Sequence, residues 1–244
     1  MKDTLQDMIQ HTSALGFIDL IKVTGTATDT TINAIAEDKS VIISGTFKNP
    51  HAEFEGVFGM PNLAKLRTIL GFDDYDASAK ISMTRKDRGD GNPTADSIHF
   101  ETKNGDFIND YRLMARTVIE DKVKSVTFKG TGWNVEFEPS VASILRLKKQ
   151  ASANSEETTF TTKVENGDLK IYFGDPSTHS GNFVFASGIT GSLASKWLWP
   201  VNQVLSILGL PGDKKFRISD QGAAEITVDS GLAVYQYLLP AQQK

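Results

Sequence analysis

Few residues in this sequence are placed for covalent chemistry. The four histidines, His11, His51, His99 and His179, fall in unrelated segments, and none stands at a metal-ligand spacing from another. The acidic run Asp73-Asp74-Tyr75-Asp76 offers oxygen ligands but lacks the glycine and closing glutamate of a calcium loop. Asp87 to Asn92 lacks the glutamate too and runs into Pro93. Both read as solvated loops or turns, with a cation site as the sharper alternative. Neither a Gly-x-x-x-x-Gly-Lys-Ser/Thr phosphate cradle nor a Gly-x-Ser-x-Gly nucleophile occurs. Cysteine is absent, which removes disulfides, zinc fingers and thiol catalysis together and fits a reducing compartment. The chain is read as a non-enzyme that needs no cofactor or metal.

What the sequence does place is charge. Acidic residues outnumber basic ones, 30 to 26, for a net charge of −4. That argues against a globally basic coat but leaves room for one basic face. Pro139 to Ser155 contains Arg146, Lys148 and Lys149 and no acid. Val57 to Phe72 contains Lys65 and Arg67 and no acid, and Pro176 to Gly212 contains Lys196 and no acid. Each stretch carries a helical period. One basic helix face can arise without function, whereas three in a net-acidic chain point to a shared surface that meets phosphates. No interleaved aromatics suit single strands and no recognition-helix motif appears, so site-specific DNA reading is disfavoured.

The elements that would position these charges come in two sets. Leu198 to Gly209 echoes Met60 to Gly71: a proline near the start, apolar residues at helical spacing and a closing Ile-Leu-Gly. The pattern predicts two amphipathic helices, each with proline at its first position and a left-handed glycine past its end. Their apolar stripes are Leu63, Leu66, Ile69 and Leu70, and Val201, Val204, Leu205 and Leu208. A further helix is expected over Asp3 to Leu15, opened by a Thr4–Asp7 capping box and stopped by Gly16. Another is expected over Ser140 to Ala153, opened by Pro139 and carrying Val141, Ile144 and Leu145. Period-two segments predict antiparallel strands between them, at 17–23, 30–35, 41–47, 52–58, 79–85, 97–102 and 107–114. In the second half a hairpin is expected at 126–137, with strands at 158–164, 169–173, 183–186, 215–219, 224–228 and 233–239. Ile9 pairs with Leu145 at an offset of 136 and Ile69 with Ile207 at 138, which indicates an internal duplication. The expected division is 1–116, a charged connector at 117–125, and 126–244. No run of eighteen apolar residues and no apolar signal core occur, so a cytoplasmic location is expected, in a host cell if the protein is viral.

This plan, an α+β chain of duplicated domains with two helices on antiparallel sheet in each, resembles the sliding-clamp family of DNA polymerase processivity factors. Within that family it is similar to the short clamps of T-even-type bacteriophages. The resemblance rests on the Lys2-Asp3-Thr4 helix, the Met60 to Gly71 helix followed by Ala79-Lys80-Ile81-Ser82-Met83, the Ser140 helix after a hairpin, and the closing Tyr235 strand. It implies a homotrimeric ring around double-stranded DNA, held without regard to sequence, with helices lining the hole. It places Arg146, Lys149, Lys65 and Arg67 foremost in that lining, with Lys148, Lys196 and Lys2 behind them. The first helix departs from a strongly basic pattern, having only Lys2, Gln6 and Gln10 to offer. The resemblance also implies that the polymerase and the clamp loader dock at Val118, Ile119, Leu238, Leu239 and Pro240. The competing reading is a β-rich viral structural or scaffold subunit that does not slide on DNA.

Overall fold

The computed structural model describes residues 1–87, 93–124 and 132–242. Its chain divides into two units that exchange short segments. The first holds Met1–Glu37, Ile43–Val126 and Ser230–Tyr235; the second holds Asp38–Ile42, Thr127–Asp229 and Gln236–Lys244.

The first unit runs α1 (Lys2–Gln10), β1 (Leu20–Gly25), β2 (Thr30–Ile35), β3 (Ile42–Phe47), β4 (Gly56–Pro61), α2 (Leu63–Leu70), β5 (Lys80–Lys86), β6 (Thr94–Glu101), β7 (Ile108–Arg112) and α3 (Arg116–Lys122). Alternation sends Ile21, Val23, Ile32, Ala34, Ile43, Phe58 and Met60 into the core. That alternation fixes the antiparallel register, in which Val23 faces Ile32 on one side and Phe58 on the other. The strands lie in the order β4-β1-β2-β3, and a smaller sheet follows the order β5-β6-β7. Helices α1 and α2 pack on each other.

The second unit repeats the plan with β8 (Val135–Phe137), α4 (Val141–Ala153), β9 (Thr159–Glu165), β10 (Asp168–Gly174), β11 (Ser180–Ser187), β12 (Leu198–Pro200), α5 (Val201–Leu208), β13 (Asp213–Ser219), β14 (Ala223–Asp229) and β15 (Ala233–Pro240). Its sheets follow the orders β15-β14-β13-β8 and β11-β10-β9-β12. Helix α4 packs on α5 and on β11. Helices α2 and α5 begin and end 138 residues apart. Of the hairpin expected at 126–137, only β8 lies among the described residues; its first arm falls within 125–131, outside them. The loop at 88–92 is outside them as well. No described helix is long and apolar enough to cross a membrane.

Several local expectations are corrected. Pro61 and Pro200 do not open helical turns: each ends a strand, and Trp199 of β12 anchors that strand by donating from Nε1 to Thr162 Oγ1 at 3.2 Å. Helix α2 starts after Asn62, whose φ is 54° and whose side-chain oxygen accepts from Lys65 N–H at 3.2 Å. Gly71 and Gly209 keep right-handed backbones, with φ of −86° and −77°. Helix α1 stops at Gln10 because Thr12 turns its hydroxyl back onto the Met8 carbonyl at 2.5 Å; a 3-10 turn, Ser13–Leu15, follows. The Thr4–Asp7 capping box does not form, for Asp7 points inward. Its Oδ2 accepts from the Tyr235 hydroxyl at 2.6 Å and from Ser230 Oγ at 3.1 Å. In α5 the buried stripe is Val201, Val204, Ile207 and Leu208, with Leu205 half-buried. The segment expected as a connector opens with α3, whose Ile119 packs on Gly59 of β4. A Cβ on that glycine would stand 2.8 Å from Ile119 Cδ1, so the close approach needs glycine.

Candidate nucleic-acid interface

The rotation of α4 about its own axis decides which of its side chains reach solvent. Ser140 starts the helix, its Oγ accepting from Ser143 N–H at 3.1 Å, and Asn154 ends it, its Nδ2 donating to the Gln150 carbonyl at 2.8 Å. Leu147 is fully buried, while Ser143, Ile144, Gln150 and Ala151 are half-buried beside it. Leu147 lies 138 residues beyond Ile9, the same offset that relates α2 to α5. Of the three apolar residues expected on this helix, Ile144 is half-buried, whereas Val141 and Leu145 are 75% and 54% exposed. Arg146, Lys148 and Lys149 are exposed with them, and the helix carries no acid. None of the three cations forms an ion pair with a described residue.

In the first unit α2 buries Leu63, Leu66, Ile69 and Leu70 as the sequence requires, which turns Lys65 and Arg67 outward. Arg67 meets Gln6 and Gln10 of α1 at a shallow groove of ≈370 Å³. The outward side of α1 is Asp3, Gln6 and Gln10, with no cation. Lys2 is half-buried, its ammonium donating to the Tyr75 carbonyl. Lys196 is exposed but sits on the loop between β11 and β12. There it lines a pocket of ≈510 Å³ with Lys163, Glu165 and Tyr172, and it belongs to no helix. Helix α5 carries no cation at all. Two acid-free helices, α2 and α4, thus present five outward cations: Lys65, Arg67, Arg146, Lys148 and Lys149. Groups of that kind can meet phosphates, and a contact to phosphate reads no base.

The residues expected to receive partners divide by exposure. Val118 and Pro240 are exposed and Leu238 is half-buried, whereas Ile119 and Leu239 are fully buried in the first and second units. The histidines and acidic loop find local roles. His11 stacks on Tyr235 at 4.5 Å between ring centroids, His51 stacks on Phe54 at the same distance, and His99 Nδ1 lies 2.9 Å from Asp110 Oδ1. His179 is exposed. Asp76 Oδ1 accepts from the backbone and hydroxyl of Ser78 at 2.7 and 2.6 Å. Among the described residues no three His, Asp or Glu side chains gather as a metal would need.

The strongest electrostatic cluster escaped sequence reading. Glu165 accepts from Lys163 at 2.7 Å, Lys170 at 2.9 Å and the Tyr172 hydroxyl at 3.0 Å. The hydrogen bond from Lys163, followed by those from Lys170 and Tyr172, holds its carboxyl at about 2. The signal was available: in the β9–β10 register Glu165 faces Asp168, which brings Lys163 opposite Lys170 on one face of the sheet.

No protein-family model matches the sequence, and no curated protein matches it either. Solved structures do match. The chain superposes on the structure of A. fulgidus PCNA with the C-terminal region of FEN-1 bound, with a TM-score of 0.71 over 100% of this chain and 96% of that one, at 9% identity. It superposes on PCNA from Entamoeba histolytica with a TM-score of 0.67 over 99% and 94% of the two chains, at 13% identity. For PCNA from Thermococcus kodakaraensis the TM-score is 0.66 over 98% and 97%, at 12% identity. At such identities the likeness is one of fold: this chain has the duplicated α+β fold of PCNA-type sliding clamps from end to end.

Proposed function

We propose that the protein is a sliding clamp, a non-catalytic ring that encircles duplex DNA and tethers a polymerase to it. Its clamp domains would be residues 1–116 and 126–244, joined by 117–125. The observation that carries the reading is the pairing of a full-length clamp fold with five outward cations on the acid-free helices α2 and α4. A ring built from identical chains needs two different surfaces that fit each other. Among the described residues each unit has a sheet edge with no further strand beside it, β7 in the first and β11 in the second. The other edges of these two small sheets are covered, β5 by Glu53, which accepts from Met83 N–H at 3.0 Å, and β12 by Gln242, which donates to the Leu198 carbonyl at 2.9 Å. Unpaired edges invite another chain, and a homotrimer is the assembly proposed. The bacteriophage assignment, of T-even type, rests on the order of elements in the sequence. The polymerase and the clamp loader are the proposed partners; exposed Val118 in the first unit, and half-buried Leu238 with exposed Pro240 in the second, are the residues of the expected set that remain open to contact.

The test is topological. The protein should have the mass of a trimer by light scattering, form rings in electron micrographs, stay on nicked circular DNA after loading and leave when that circle is cut. Changing Arg146, Lys149, Lys65 and Arg67 to glutamate should leave the mass unchanged, since all four side chains face solvent. It should abolish retention at low salt by repelling phosphates, and less so as screening grows. A stable monomer at high concentration, or normal retention of the quadruple variant, overturns the proposal and favours the structural-subunit reading.

A further inference from the structure

Six large apolar side chains are substantially exposed among the described residues, and two of them, Val141 and Leu145, stand on α4 among cations with no acid nearby in the helix. Positions 141, 145 and 149 follow one another at i, i+4 spacing, so Val141, Leu145 and Lys149 form one outward ridge. Arg146 and Lys148 flank it on either side. A helix meant only to hover over phosphates through water would gain nothing from branched apolar groups at the centre of its outward face; leaving them bare in water is unfavourable. On the basis of the clamp reading, we propose that this ridge rests directly on a strand of duplex DNA. The three cations reach phosphates, and Val141 and Leu145 lie against the deoxyribose carbons between them. Every charge on the face is positive, which selects a polyanion, and its mixed composition matches the alternation of charged phosphate and apolar sugar rim along one strand. The two apolar residues are about 6 Å apart along the helix axis, from a rise of about 1.5 Å per residue. That separation lets them meet neighbouring sugars of one strand.

The contact makes a prediction that charge alone does not. A Val141→Thr, Leu145→Gln variant keeps side-chain size, helix propensity and every charge, and neither site is in the core. Binding of the wild type and this variant to a short linear duplex is measured by fluorescence anisotropy over a series of salt concentrations. The variant should bind about tenfold more weakly at each concentration, the loss of two partial apolar contacts. The slope of log affinity against log salt should not change, because no phosphate contact is removed. An Arg146→Ala, Lys149→Ala variant, in contrast, should flatten that slope. Wild-type affinity in the Val141→Thr, Leu145→Gln variant overturns the inference, and so does a loss accompanied by a flatter slope. If that variant loses binding to poly-glutamate while duplex binding is unchanged, the ridge is a seat for an acidic protein and the inference fails. Absence of any duplex binding by the wild type at low salt overturns the inference too, whereas failure of the wild type to stay on nicked circles after loading removes the clamp reading itself, a result separable from the others.

Discussion

In the first unit the side chain of Asp7 ties α1 to the segment 230–235, and one deleted oxygen measures how much stability that tie contributes. Tyr235 is fully buried, its hydroxyl 2.6 Å from Asp7 Oδ2 and its ring stacked on His11 with 6° between the planes. Tyr235→Phe keeps the ring and the stack and removes only the hydroxyl. A hydrogen bond to a charged group contributes about 1.5–3 kcal/mol. Asp7 would keep Ser230 Oγ at 3.1 Å and His11 Nδ1 at 3.4 Å, so it is not stranded. The loss should sit at the lower end, about 1.5–2 kcal/mol. Asp7→Ala removes the acceptor of two hydroxyls at once and opens space in a packed region, and should cost about 3–4 kcal/mol. In the Asp7→Ala background the further effect of Tyr235→Phe should shrink toward zero, which is the signature of one shared interaction. Urea unfolding followed by far-ultraviolet circular dichroism gives all four corners of the cycle. A Tyr235→Phe effect below about 0.5 kcal/mol, or the same effect with and without Asp7, refutes the reasoning.

Two further outcomes separate packing from docking and charge from burial. Leu239→Ser should destabilise the second unit by at least the 2–5 kcal/mol typical of truncating a buried leucine, while Leu238→Ser should change stability by less than about 1 kcal/mol. If partner docking uses this strand, only the Leu238 variant can report it cleanly, through polymerase stimulation at unchanged melting temperature. Glu165 should titrate near 2 when its side-chain carboxyl is followed by NMR; because its value is depressed, its three hydrogen bonds persist through the ordinary carboxylate range and are lost only as pH falls toward 2. A midpoint in the ordinary range would mean that Lys163, Lys170 and Tyr172 do not hold it.

Where one face is buried, the sequence carried the fold. Val23, Ile32 and Phe58 alternate as a half-buried sheet must, and Leu63, Leu66, Ile69 and Leu70 admit only one helical stripe, so Lys65 and Arg67 had only one way to point. Helix α4 was ambiguous because Val141, Ile144, Leu145 and Leu147 surround its axis and permit two stripes. Charge resolves it: on a helical wheel Lys148 falls between Val141 and Ile144, so a stripe through Val141, Ile144 and Leu145 would bury it, and an ammonium group without a partner cannot be buried. The stripe through Ile144 and Leu147 was therefore the one to choose. In β15 the same kind of oversight joined Leu238 to Leu239 as one apolar tail. The period of two in Ala233, Tyr235, Tyr237 and Leu239 assigns Leu239 to the core and leaves Leu238 outside it. Other features had no local signature. Lys2 and Lys196 were singled out because their surroundings lack acids or lie near a helix start, yet such counts say nothing about where an ammonium finds a carbonyl or which loop carries it. Asp7 fits a capping pattern four residues long, and it is two hydroxyls 223 and 228 residues away in the chain, those of Ser230 and Tyr235, that hold it inward. The cations that the structure leaves outward on α2 and on α4 are those whose direction an adjacent apolar stripe dictates, which is why they, rather than every base in an acid-free stretch, are the ones the proposed DNA contact draws on.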